Sequence, residues 1–160
     1  MSKSTQAIPP GHENLIPHLV CSPCAEAIEF YKKAFGAEEI YRMPALDGHR
    51  IMHAEIRIGK SIVFLVDDFP EYCGKSSSAL ALKGTPVTIH SYVADCDAAI
   101  KRAADAGATV LMPAADMFWG DRCGGVSDPF GHKWSFATRL KDLTPAEMQA
   151  AMNCAFAKKS

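Results

Sequence analysis

An internal repeat constrains this chain more than any other feature of its sequence. Ala27-Ile28 recurs as Ala99-Ile100 and Gly59 recurs as Gly131, each 72 positions on; Gly36-Ala37 recurs as Gly107-Ala108, 71 positions on. A fixed offset of this kind is the mark of duplication. The residues between the anchors follow one order twice. Residues 15–21 read as a strand. Residues 25–35 read as a helix, with Ile28, Tyr31 and Phe35 at i, i+3, i+7 and Gly36 in the place of a C′ glycine. Residues 38–43, 50–58 and 61–66 read as three strands, joined by turns at Asp47-Gly48 and Gly59-Lys60. A polar connector, 67–86, holds Gly74, three serines and Gly84. The order then restarts with a strand at 87–94, a helix at 96–106 ended by Gly107, and strands at 108–112, 117–126 and 132–138.

Each half thus reads β-α-β-β-β, and the fold class is α+β. The expected organisation is a loose arm (1–14), a first module (15–66), the connector (67–86), a second module (87–139) and a C-terminal helix and tail (140–160). The last helix, 143–157, has Thr144 as N-cap, Pro145 at N1 and Glu147 at N3. Its Met148, Ala151, Met152 and Phe156 face either the body of the protein or a second chain.

The densest stretch is 117–138, MFWGDRCGGVSDPFGHKWSFAT, which holds both tryptophans. Asp128-Pro129-Phe130-Gly131 is a turn signal, since proline presets φ and glycine supplies a positive one. The flanking segments read as a hairpin whose first strand is bent by Gly120 and Gly124-Gly125 and carries Trp119, Asp121 and Arg122.

Charge and composition exclude several classes. The 17 basic and 18 acidic residues give a net charge of −1, so neither nucleic acid nor an anionic membrane is an expected partner. With 48% hydrophobic residues the chain can bury a core. No apolar run approaches the ~20 residues that span a bilayer. The first residues lack the apolar region of a secretory signal, which points to the cytoplasm. A disulfide framework is not expected there for the six cysteines. Cys21-Ser-Pro-Cys24 has no second such pair to complete a four-thiolate zinc site. It is either a redox pair or, more simply, two small residues in a strand-to-helix turn.

The two halves, the run Ala27-Ile28-Glu29-Phe30-Tyr31 and the closing Asp-Pro-x-Gly-x-x-Trp hairpin resemble the vicinal-oxygen-chelate superfamily. The similarity is to its PhnB-like, glyoxalase/bleomycin-resistance branch. It rests on Phe30-Tyr31-Lys32-Lys33-Ala34-Phe35-Gly36-Ala37, Met52-His53-Ala54-Glu55 and Phe118-Trp119-Gly120-Asp121-Arg122. The resemblance implies two modules forming a cupped mixed sheet, a small molecule inside the cup, and a homodimer. In metal-using members the ligands come from the first and last strand of each half. Here those positions hold Ile16, Thr88 and Ser135, and 61–66 contains no acid. Isoleucine cannot bind a metal and a neutral hydroxyl binds one poorly. No metal and no other cofactor is therefore expected at the standard site.

Other residues supply candidate chemistry. His18 and His90 are related by the 72-residue offset, and each lies two residues beyond the expected ligand position, hence on the same strand face. His53 and Glu55 share a face of the third strand. Together they could form a displaced metal site, a general base with a partner, or hydrogen-bonded groups in a pocket wall. Arg122 beside Trp119 can hold a carboxylate or phosphonate in a fork, stack on the indole, or form an internal salt bridge. The expected catalytic residues are His18, Glu55 and His90; the expected substrate-binding residues are Trp119, Arg122, His53 and Tyr92. The leading reading is a protein that binds a small acidic or planar molecule. The alternative is a small-molecule lyase or transferase using His18, Glu55 and His90. His12 and His49 read as loop residues, His132 as exposed or capping, and Asp67-Asp68 as a solvated turn.

Overall fold

The computed structural model describes residues 6–157. The chain divides into two compact units, Met1–Leu82 and Lys83–Ser160, and each carries one four-stranded mixed sheet.

The first unit contains β1 (His18–Val20), α1 (Cys24–Phe35), β2 (Glu38–Pro44), β3 (Ile51–Ile58), β4 (Ser61–Val66) and a short α2 (Pro70–Cys73). The sheet order is β1-β4-β3-β2, with β1 parallel to β4 and the other pairs antiparallel. Helix α1 forms because its apolar residues fall on one side. Ala27, Ile28, Tyr31 and Ala34 are fully buried, and Gly36 ends the helix at φ 66° while its N–H bonds the Lys32 carbonyl. The helix packs on β2 and β3. Leu19, Ala54, Ile56, Val63 and Leu65 are all buried. The register aligns Leu19 and Ala54 with Leu65, and Ile56 with Val63, so these five share one face. Alternation sends His18, His53, Glu55 and Phe64 to the other.

The second unit repeats the plan with β5 (Thr88–Tyr92), α3 (Cys96–Asp105), β6 (Thr109–Asp116), β7 (Asp121–Ser127) and β8 (Lys133–Arg139), followed by α4 (Pro145–Ala157). The order is β5-β8-β7-β6 and β5 is parallel to β8. The Asp95 side chain accepts from Ala98 N and caps α3. Helix α3 lies close to the sheet because Gly124 is beneath it. A Cβ there would come within 3.1 Å of the Ala114 backbone and of Ile100 Cγ1.

Several expectations change. The first strands of the two units are shorter than their sequence patterns. Strand β6 continues past Pro113 to Asp116, which an edge strand permits because proline has no N–H to give to a ladder. Residues 117–120 then make the turn, with Gly120 at φ 96° and its N–H on the Met117 carbonyl. Trp119 therefore leaves the strand that carries Arg122. The expected solvated turn at Asp67 is also corrected. Asp67 is only 4% exposed, and its carboxylate accepts from Cys24 N at 3.0 Å and Ile51 N at 2.7 Å. It satisfies the first N–H of α1 and fixes the start of β3. Asp128 does similar work in its turn, accepting from Phe130 N, His132 N and Trp134 Nε1. The capping box of α4 forms as expected between Thr144 and Glu147. No residue of that helix is buried. Pro145, Met148, Gln149 and Met152 line an open groove of about 480 Å³ with Phe118 and Trp119.

Candidate functional site

The face of the first sheet turned away from α1 gathers most of the expected chemistry. His18 lies opposite Phe64, Phe64 opposite Glu55, and Glu55 opposite Tyr41. His53, two residues before Glu55, joins the same face. Its ring meets Phe64 edge-on, with centroids 4.7 Å apart. The His18 ring is 6.0 Å from Phe64 and 6.4 Å from His53, and Tyr41 is 6.4 Å from His53. Phe64 is thus the hub of an aromatic patch, and sequence reading gave it no role.

Glu55 supplies the charge. One carboxylate oxygen is 3.3 Å from His53 Nε2 and the other is 3.2 Å from His12 Nε2. His12, expected as a loop residue, is the second missed member. The preceding Pro9-Pro10-Gly11 was the available signal, since it marks a turn that folds the arm back. Burial and the neighbouring His53 push the His18 pKa down, which favours its neutral form near pH 7. Buried polar groups in such a cluster need partners, and Glu55 has two.

The second sheet treats the same positions differently. His90 Nδ1 is 2.6 Å from Ser135 Oγ, directly across the parallel pair. Tyr92 donates to the Asp121 carboxylate at 2.8 Å; this bond and burial push the tyrosine pKa up. His90 and Tyr92 share the face away from α3, one alternation apart. Arg122 occupies the opposite face. It shares the face of β7 with Gly124 and donates to Asp97 on α3 at 2.5 and 2.8 Å and to Asp116 at 2.8 Å. The two carboxylates raise the guanidinium pKa further, and Arg122 in turn lowers that of Asp97. Trp119 stands against Phe118 in the groove beside α4. The structure therefore brings His18, His53 and Glu55 together, places His90 with Tyr92 on the second sheet, and puts Arg122 and Trp119 on neither of these two faces.

The cysteine pair is sealed. Cys21 and Cys24 are both fully buried, and burial with Asp67 pushes the Cys24 thiol up to about 12. A thiol so held is a poor nucleophile at neutral pH. The last-strand positions that the resemblance marks for ligands can be read from the register. Ser135 faces His90, and the matching residue of the first sheet is Phe64, which faces His18. Among the described residues no three His, Cys, Asp or Glu side chains are grouped to hold a metal ion. No helix among them is long and apolar enough to cross a membrane.

Comparison with known proteins fits this topology. The model of the glyoxalase/bleomycin resistance protein/dioxygenase superfamily matches residues 15–136, spanning both sheets. The chain belongs to this superfamily. Protein Mb0911c of Mycobacterium bovis is 50% identical over 140 residues, covering 87% of this chain and 91% of its own. The structure of TioX from Micromonospora sp. ML1 is 28% identical, with a TM-score of 0.61 over 80% of this chain and 99% of that one. The Arabidopsis thaliana At5g48480 product is 30% identical, with a TM-score of 0.62 over 78% and 97%. Within the glyoxalase/bleomycin resistance superfamily, the two β-α-β-β-β units of this chain are the scaffold it shares with these structures.

Proposed function

We propose that this superfamily member binds a small planar molecule on the exposed face of its first sheet, without a metal at the positions other members use. The observation that carries the reading is the patch of His18, His53, Phe64 and Tyr41 beside the Glu55 carboxylate. Aromatic rings held edge-on present flat apolar surface to a ligand ring, while imidazoles and a carboxylate fix its polar edge. The donor set does not fit a metal at the superfamily's ligand positions: Ile16 and Phe64 are hydrocarbon, and Thr88 and Ser135 are neutral hydroxyls. An acidic group on the ligand would meet histidines rather than Arg122, whose fork is held by two aspartates. The same reading places the chain in the PhnB-like branch, as a homodimer working in the cytoplasm.

A second reading keeps this face and adds turnover. The Glu55–His53 couple has the form of a base with its orienting partner, and neutral His18 can take up a proton. Thermal shifts with naphthoate and quinoline test the first reading, since ligand present at 100 times its Kd stabilises by about 2.7 kcal/mol. Stabilisation by either probe, lost in His53→Ala and Glu55→Gln, supports it; the probe that works tells acidic from neutral preference. Absence of stabilisation by planar probes, or full retention in both variants, sinks it. Turnover of a bound compound that disappears in His18→Ala would establish the second reading.

A further inference from the structure

His12 of the N-terminal arm touches the candidate site, and the chemistry of that contact depends on a proton. We propose that residues 9–14 form a strap that His12 latches onto the Glu55 carboxylate, and that the latch loosens when His12 is deprotonated. The inference rests on Glu55 belonging to the ligand face, and it assigns that face a regulator.

The strap is a built turn. His12 N donates to the Pro9 carbonyl at 3.1 Å, and Gly11, at φ 84°, gives its N–H to Glu13 Oε1 at 3.1 Å. This turn aims the His12 ring at the sheet, 5.9 Å from Phe64, with the side chain only 19% exposed. Each ring nitrogen then meets an acceptor. Nδ1 is 3.1 Å from the Pro10 carbonyl, and Nε2 is 3.2 Å from Glu55 Oε2. A neutral imidazole carries one N–H and can serve only one of them. Both bonds are made only by the imidazolium.

The titratable groups around the contact are Glu13 in the arm, Glu55 and His53 on β3, and His18 on β1 beyond Phe64. The Pro10 carbonyl raises the pKa of His12 most; burial opposes it, and Glu55 and then Glu13 add to the rise, so that the net direction is up. A raised pKa fixes the sign. The latch is complete below the ordinary histidine value and is lost as pH rises through the raised one. Deprotonation removes one of the two bonds; in the tautomer that keeps its N–H on the Pro10 carbonyl, Oε2 of Glu55 loses its donor while Oε1 keeps His53. The freed oxygen is the one a ligand approaching the aromatic patch can use.

The test is amide hydrogen exchange across residues 9–14 of the full chain, corrected for the intrinsic pH dependence of exchange, together with a histidine ring titration by NMR. His12 should titrate above the ordinary value and fall back toward it in Glu55→Gln. Protection of the Gly11 and His12 amides should drop several-fold through the same pH range. In His12→Ala it should be low at every pH, while the amides of Ala54 and Ile56 stay protected. Protection that does not follow the His12 titration, or that survives in His12→Ala, overturns the strap. No ligand enters this experiment. A working strap on a chain that binds neither naphthoate nor quinoline would remove the ligand reading alone; ligand binding with an unlatched arm would remove the strap alone.

Discussion

The two units share a backbone and differ in what they place on it. Register aligns the faces turned away from α1 and α3 residue by residue: His18 with His90, Tyr41 with Met112, His53 with Cys123, Glu55 with Gly125, and Phe64 with Ser135. Only the first-strand histidine is common. In the first unit it stands in a patch with Phe64 and His53 beside the Glu55 carboxylate; in the second it bonds Ser135 and meets edge-on the Tyr92 ring, whose hydroxyl is held by Asp121. Duplication therefore preserves where side chains point and leaves their chemistry free to diverge. The hidden faces diverge too. The first N–H of α1 is held by the Asp67 carboxylate and that of α3 by the Thr138 hydroxyl, which also donates to the Val93 carbonyl. The first core is filled by Ile28, Tyr31, Ile56 and Leu65, whereas the second brings α3 down onto Gly124.

Breaking these differences one at a time gives graded effects. The largest belongs to Asp67→Ala. It strands two buried N–H groups and should cost about 4 kcal/mol, against about 2 kcal/mol for Thr138→Val, where a neutral hydroxyl is lost. Urea denaturation of the two variants reads the ratio, and equal losses would mean the helix starts are held alike. Gly124→Ala comes next, at about 2 kcal/mol, because the added methyl must displace the Ala114 backbone or Ile100. The corresponding measurement is the denaturation midpoint, with Gly125→Ala, whose Cβ would meet only the Trp134 carbonyl at 3.4 Å, as the milder control.

On the exposed faces, His53→Ala should weaken binding of a planar probe at least about tenfold, or about 1.4 kcal/mol, while His90→Ala changes it little. Titration calorimetry separates the two, and equal losses would erase the distinction between the sheets. The smallest effect is that of Arg122→Ala, an exposed pair with Asp97 and Asp116. Arg122 lowers the Asp97 pKa, so its contribution should be present above the ordinary aspartate value and vanish as pH falls through the lowered one. Stability curves of the two proteins should therefore converge in acid; parallel curves would show that the pair contributes nothing.

Much of this was legible in the residues. The repeat anchors fall where the modules require them, because a helix face such as Ala27-Ile28 and a C′ glycine such as Gly36 are fixed by local geometry. His53 and Glu55 could be placed on one face because strand alternation is local as well. What failed to show was long-range. The offset is 72 at the first strands, 70 between Glu55 and Gly125, and 71 between Phe64 and Ser135, since turn lengths differ between the units. Constant spacing therefore could not reveal that Phe64 stands opposite His18. Trp119 and Arg122 were assigned to one strand because Gly120 was read as a bend rather than as part of the turn. Asp67 resembled a solvated loop carboxylate because its two backbone partners lie 43 and 16 residues away. His12 carried only the turn signal before it, and nothing local named Glu55 as its partner.

The proposed ligand chemistry lies on the first sheet and not on the second. Chemical-shift mapping of isotope-labelled protein titrated with naphthoate and quinoline tests it most directly. Shifts should concentrate on His18, Tyr41, His53, Glu55 and Phe64 and move together along one binding curve. Shifts concentrated instead on His90, Tyr92 and Ser135, or in the groove of Phe118, Trp119 and Met152, would contradict it.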